Sequence, residues 1–216
     1  RLWGDAPWSF DADSGTLKVE SGRLENTANS PWNRKDDKAI DKKLIKKIIF
    51  TGAIQVPNNI KNLFANLKSL TEIVGLDKLD TSNVTTMENM FKACRALTSL
   101  DLSNFNTRSV TNMENTFFVV PLSSLTLGEN FRFFGGSSCA LSIPYTLPDG
   151  ATLTRKWKRQ GDNTNATYLS KYLVNNYEYG TGELKAGTYI TEVYAGESTL
   201  ETTFSFSTDS GKTAAT

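Results

Sequence analysis

Thirteen residues of this chain occur twice, and that repetition limits the fold more than any other feature. The segment from Leu79 to Phe91 set against that from Phe105 to Phe117 gives seven identities at an offset of 26, among them Thr81/Thr107, Val84/Val110, Met87/Met113, Glu88/Glu114 and Asn89/Asn115. Chance would give about one, and self-similarity at a fixed period is the mark of stacked repeats. The apolar frame extends upstream, where Leu97, Leu100 and Leu102 match Leu70, Ile73 and Gly75 at an offset of 27. Degenerate copies lead and trail, with Ile48 and Phe50 before and Leu125 and Leu127 after. The inward positions Ile48, Ile73, Leu100 and Leu125 are then spaced 25, 27 and 25 residues apart.

That period is the one found in leucine-rich repeats, a short strand and a returning segment per coil. One such strand cannot bury its own apolar face, so coils must stack. The expected fold class is therefore α+β repeat: a leucine-rich-repeat solenoid with short parallel strands, capped by an N-terminal aromatic-rich unit and a C-terminal β-rich unit. Ile73 and Leu100 are expected on neighbouring strands. Val110, Met113 and Phe117, three and four apart, predict a short helical return, with Thr107 or Ser109 as its N-cap and Thr81 or Ser82 in the previous coil.

The segments Leu76 to Met87 and Leu100 to Thr107 resemble the BspA-type leucine-rich repeats of bacterial surface proteins. Met90-Phe91-Lys92-Ala93-Cys94, Leu63-Phe64-Ala65-Asn66-Leu67 and the leader residues Trp8, Phe10, Asp11, Gly15, Leu17 and Trp32 fit the same pattern. The likeness is closest to the form in cell-wall proteins of lactic-acid and related Gram-positive bacteria. It covers residues 8 to 130 well, and 157 to 194 more loosely. It implies a secreted, wall-anchored adhesin that attaches to host mucus glycoconjugates, epithelium or matrix protein.

Four segments are expected: an N-terminal cap over 1–46, repeats over 47–130, a β-rich cap or small domain over 131–206, and a polar tail over 207–216. The tryptophans Trp3, Trp8 and Trp32 read as core of the first cap. Ile40, Leu44 and Ile48 keep a four-residue spacing that predicts an amphipathic helix, with Lys38, Lys42 and Lys46 on its other face. Residues 151–159 alternate as a strand, Tyr168 to Leu173 suits a short helix, and 188–194 with 199–207 predict strands around a hairpin at Ala195-Gly196-Glu197.

Composition excludes several chemistries. There is no histidine, which removes Ser-His-Asp and Cys-His catalysis and most zinc chemistry. Lys plus Arg is 24 against 23 for Asp plus Glu, and a net charge of +1 argues against a nucleic-acid partner. The longest strongly apolar run, Phe117 to Val120, is far short of the ~18 residues of a membrane span. The chain opens at Arg1 without a signal-peptide pattern and reads as cytosolic or as a trimmed fragment of something larger. Gly211-Lys212-Thr213 and Gly180-Thr181-Gly182 are fragments of phosphate-binding motifs that lack their remaining glycines. A glycosidase needs only two carboxylates, but no acidic cluster stands out, and Glu88 and Glu114 repeat as one exposed turn of successive coils. No enzyme, cofactor or metal is expected. Cys94 and Cys139 are read as free thiols, with a disulfide between them as the alternative.

The expected function is a binding module, with a structural spacer of a larger wall protein as alternative and a wall-active hydrolase as a distant third. The module is expected to act as a monomer without inserting into a membrane. The candidate ligand-binding residues are the outward strand positions Lys47, Glu72, Ser99, Asp101, Ser124 and Thr126, and the basic group Arg155, Lys156, Lys158 and Arg159. Lysines and arginines there would contact sialic acid or sulfate on mucus glycans.

Overall fold

The computed structural model describes residues 1–141, 145–146 and 152–195. The expected hairpin at 195–197, the strand over 199–207 and the tail lie outside the described residues.

Strands build three sheets. In the first, β1 (Leu2–Trp3), β2 (Ala6–Asp11), β3 (Thr16–Val19), β5 (Lys47–Phe50) and β7 (Glu72–Val74) are neighbours in that order. The hairpin β2–β3 is antiparallel, and β3, β5 and β7 run parallel. A second, parallel sheet joins β4 (Gly22–Arg23), β6 (Ile54–Gln55) and β8 (Leu79–Asp80). The third holds β9 (Ser99–Leu102), β10 (Ser124–Leu127), β14 (Gly187–Ala195), β12 (Thr152–Arg159) and β11 (Tyr145–Thr146), with β13 (Tyr168–Leu169) on β12. The strand β14 pairs antiparallel with β10, so the C-terminal unit extends the sheet of the last repeats.

The leading strands of the repeats pair two by two. Ile48 lies opposite Ile73, and Leu100 opposite Leu125, in parallel register. The ladder between Ile73 and Leu100 is missing, because β7 and β9 belong to different sheets. At that break Gly75 takes a left-handed conformation and a 3-10 turn, Leu76–Lys78, follows at once. The expected α+β leucine-rich-repeat solenoid is thus corrected. The chain is mostly β, in three sheets, and among the described residues its one α-helix is α1 (Ser170–Asn176), far from the repeats in sequence.

The returning segments show why. An α-helix would send each N–H to the carbonyl four residues back. Here alternate N–H groups go to two different places. Leu63, Ala65 and Leu67 donate three residues back, to Ile60, Asn62 and Phe64. Asn62, Phe64 and Asn66 donate to Glu88, Met90 and Lys92 of the next repeat at 2.8–2.9 Å. One repeat on, Asn89, Phe91 and Ala93 donate to Glu114, Thr116 and Phe118 at 2.8–3.0 Å. Every second backbone donor therefore ties one repeat to its neighbour. The turns need left-handed residues at Asn62, Asn66, Asn89 and Asn115. Asparagine tolerates that conformation best among residues with a Cβ, which accounts for the duplicated Asn89/Asn115.

Threonines close the remaining corners. The buried Thr107 hydroxyl donates to the Arg132 carbonyl at 3.0 Å and accepts from the Arg132 N–H at 2.8 Å. Thr81 accepts from the Asn106 N–H at 2.8 Å. Thr71 and Ser123 hydroxyls donate to the Lys46 and Thr98 carbonyls of the preceding coil.

The core is one continuous cluster with an aromatic column along it. Trp32, Phe64, Phe91 and Phe117 are stacked at 5.5–6.0 Å between ring centroids. Trp3 meets Trp32 edge-on, and Phe133, Tyr177 and Tyr189 continue the column at the other end. Trp3, Trp8 and Trp32 are buried, as a cap requires. The helix expected around Ile40 to Ile48 does not form. Asp41 caps a single 3-10 turn, Lys42–Leu44, leaving Leu44 exposed and placing Ile45 in the core. A short cap that returns to the sheet at β5 reaches its register sooner through a turn than through a helix.

Cys94 and Cys139 are unpaired and buried. Their thiols donate to the carbonyls of Phe64 at 3.1 Å and Phe134 at 3.2 Å, and burial pushes both up to about 12. Both react with a thiol reagent in denaturant and only slowly in the folded protein, which a labelling time course checks. The same burial gives a pH dependence. Unfolded thiols ionise near 9 while folded ones keep the proton to about 12. The folded state binds more protons in that window, so stability present below pH 9 is lost as pH rises toward 12. Burial also raises Tyr177 and Tyr189, which adds in the same direction. Denaturant titrations at pH 8 and pH 10.5 measure the slope. Equal stability at the two would contradict the burial.

Candidate binding face

The third sheet gathers most of the residues singled out from sequence. Ser99, Ser124, Ile190 and Lys158 form one cross-strand row over β9, β10, β14 and β12. Asp101, Thr126 and Thr188 form the next row. Alternation puts these positions out of phase with Leu100, Leu125, Tyr189 and Trp157, which are buried. Six of the expected ligand residues, Ser99, Asp101, Ser124, Thr126, Lys156 and Lys158, thus share the outward phase of one sheet.

The remaining four do not join them. Arg155 and Arg159 stand at the alternate register positions, in phase with Trp157. Arg159 is opposite Tyr189, and its Nε lies 3.8 Å from Asp162 Oδ2. Lys47 and Glu72 sit on the first sheet, where they neutralise each other at 2.7 Å across β5 and β7. That pair is substantially exposed, so it contributes little to stability. The outward positions Lys47, Glu72, Ser99 and Ser124 fall into two separate half-rows, because the ladder breaks between β7 and β9.

Local bonds already shape the face. Asp101 Oδ1 accepts from the Ser103 N–H at 2.9 Å, which fixes the turn after β9. The Thr126 and Thr188 hydroxyls are 2.9 Å apart. Lys158 Nζ donates to Asn165 Oδ1 at 3.2 Å. A glycan hydroxyl or a peptide amide would therefore meet oriented donors and acceptors with a half-buried apolar centre at Ile190. Thr188 and Ile190 escaped sequence reasoning. Their strand had been recognised, but its insertion between β10 and β12 is a long-range pairing with no local signal.

Two open grooves lie elsewhere among the described residues. One groove is lined by Ser9, Phe10, Asp11, Ser14, Thr16 and Lys18, and another crosses Arg23, Gln55, Lys78 and Asp80 on the second sheet. Hydrogen bonds from Ser14 and the Asp13 N–H hold Asp11 below the usual carboxylate range, and Ser82 does the same for Asp80. Among the described residues no three His, Cys, Asp or Glu side chains gather around one point. No described helix is long and apolar enough to cross a membrane.

A family model described as "Mycoplasma protein of unknown function, DUF285" matches residues 49–121, the part of the chain that carries the two matching thirteen-residue segments. No curated protein and no solved structure matches the chain.

Proposed function

We propose that this chain is an extracellular binding module of a bacterial surface adhesin, attaching to host mucus glycoconjugates or to a host surface protein. It is secreted and held at the cell wall by regions outside this stretch. The observation that supports the reading is the outward face of the third sheet. Six polar positions chosen from sequence fall on one side of one sheet, braced from behind by a continuous core. A face built on strands keeps its groups in place before a partner arrives, which lowers the entropy lost on binding.

Immobilised mucin and matrix proteins provide the test. The folded chain binds one of them, and binding weakens as salt rises through ~0.15 M, where exposed charges are screened over ~8 Å. Lys156→Ala together with Lys158→Ala lowers affinity and leaves the melting temperature within a few degrees. No binding to any of these surfaces would overturn the adhesin reading. Binding that ignores both salt and the double substitution would remove the third-sheet lysines from it.

A further inference from the structure

Arg108 and Arg132 lie 24 residues apart in the chain and one repeat apart in space. The Thr107 N–H donates to the Asn130 carbonyl at 3.0 Å, and the Thr107 hydroxyl grips Arg132 from both its N–H and its carbonyl. Each arginine follows this junction closely, so the two side chains leave from stacked positions. Tyr179 is brought beside them by its own N–H, which donates to the Phe131 carbonyl at 2.8 Å.

The Arg108 Cζ stands 4.3 Å from the Tyr179 ring centroid and the Arg132 Cζ 6.0 Å from the same centroid. Arg132 also lies 5.5 Å from the Phe134 ring. Tyr179 holds φ at 54°, a region in which a bulky residue is an outlier. Two guanidiniums sharing one ring concentrate positive charge. The carboxylate at hand, Glu178, reaches Arg132 only at 3.9 Å and is mostly exposed. The Arg132 Nε is buried without a hydrogen-bond partner.

We propose that Arg108, Arg132 and Tyr179 form a site for the oxyanion substituent of an acidic saccharide. The inference rests on the adhesin reading and sharpens it, by naming the charged group that is read and adding a second contact for it away from the β12 lysines. Stacking on Tyr179 fixes the Arg108 guanidinium plane, its Nε–H donates to Asn130 Oδ1 at 3.3 Å, and the two terminal nitrogens present the edge that a bidentate carboxylate or sulfate ester would take. Carboxylate and sulfate share this chemistry, and the experiment separates them.

Binding of 3′-sialyllactose, 3′-sulfolactose and lactose to the intact chain is measured by calorimetry, for wild type, Arg108→Gln, Arg108→Lys and Tyr179→Phe. At least one acidic sugar binds about tenfold or more tighter than lactose, as a charge-assisted bidentate contact requires. A preference for one of the two acidic sugars assigns the substituent. Arg108→Gln removes that preference with an unchanged melting temperature, Arg108→Lys keeps part of it, and Tyr179→Phe keeps nearly all. Equal affinity for lactose and both acidic sugars, or full preference in Arg108→Gln, would overturn the site. The two readings fail separately. Acidic-sugar binding without mucin or matrix binding removes the adhesin reading alone, and wild-type mucin binding by Arg108→Gln removes this site alone.

Discussion

Phe91→Ala lowers the melting temperature by roughly 10 °C, the shift that about 3–5 kcal/mol produces in a chain of this size. Phe91 is fully buried in the middle of the aromatic column, stacked on Phe64 at 5.5 Å and on Phe117 at 6.0 Å. Truncation removes two aromatic contacts and leaves a cavity between repeats whose backbones are locked by the Phe91-to-Thr116 hydrogen bond. The walls cannot collapse into that space without breaking the ladder, so the loss falls at the upper end of the range. Phe118, next to the buried Phe117 but 40% exposed, is the control. Phe118→Ala moves the transition by a degree or two. Similar shifts for the two substitutions in a thermal melt would show that the column is not what holds the repeats together.

Gly128→Ala is expected to be worse, preventing accumulation of folded protein or lowering stability by about 4 kcal/mol or more. A Cβ at Gly128 would overlap the Ser103 carbonyl oxygen and carbon of the preceding coil. Both sides of that contact are main chain, so no side chain can swing away. The Gly128 carbonyl also accepts from the Tyr177 hydroxyl at 2.9 Å, a bond by which the C-terminal unit holds the last repeat. Gly182 has open space where its Cβ would be and no left-handed backbone. Gly182→Ala therefore stays within about 0.5 kcal/mol of wild type, as surface changes usually do. A Gly128→Ala variant that melts like Gly182→Ala would mean that the coils pack less closely than described.

Stacking was legible in the chain because it is written as an offset. Ile48 opposite Ile73 and Leu100 opposite Leu125 follow from spacing alone, and the burial of the three leading tryptophans follows from the need to cap an apolar end face. The helical return was misread. Met87, Met90 and Cys94 point inward at spacings of three and four, which a helix and a run of tight turns both produce. The deciding information lay in the asparagines, whose left-handed backbone breaks a helix and turns alternate N–H groups outward. The break between β7 and β9 was marked in the sequence as the odd spacing of 27 beside 25, but its structural form depends on Gly75 and the turn behind it. On the candidate face, alternation correctly separated Lys156 and Lys158 from the buried Trp157. Clustering of basic residues, not alternation, placed Arg155 and Arg159 in the same group, although parity puts them in the opposite phase. The grouping of Arg108, Arg132 and Tyr179 was invisible because it needs the C-terminal unit folded back on the third coil.

The alternating ladder of the returning turns has a consequence for how such a chain can vary in length. Each turn donates to acceptors about one period ahead and accepts from donors one period behind, so these backbone bonds run from a repeat to its two neighbours. Between Asn62 and Asn115 the pattern contains no term that depends on the total number of repeats. Duplication of one whole period inside that stretch would find the donors and acceptors of the returning turns already in place, and would move the two ends apart by about 4.8 Å, the spacing of adjacent strands. Loss of a whole period would shorten it by the same step, whereas a gain or loss of a few residues would throw the bonds out of phase. The distance between the tryptophan-rich end and the tyrosine-rich end is therefore a quantity that gene duplication can set in discrete increments.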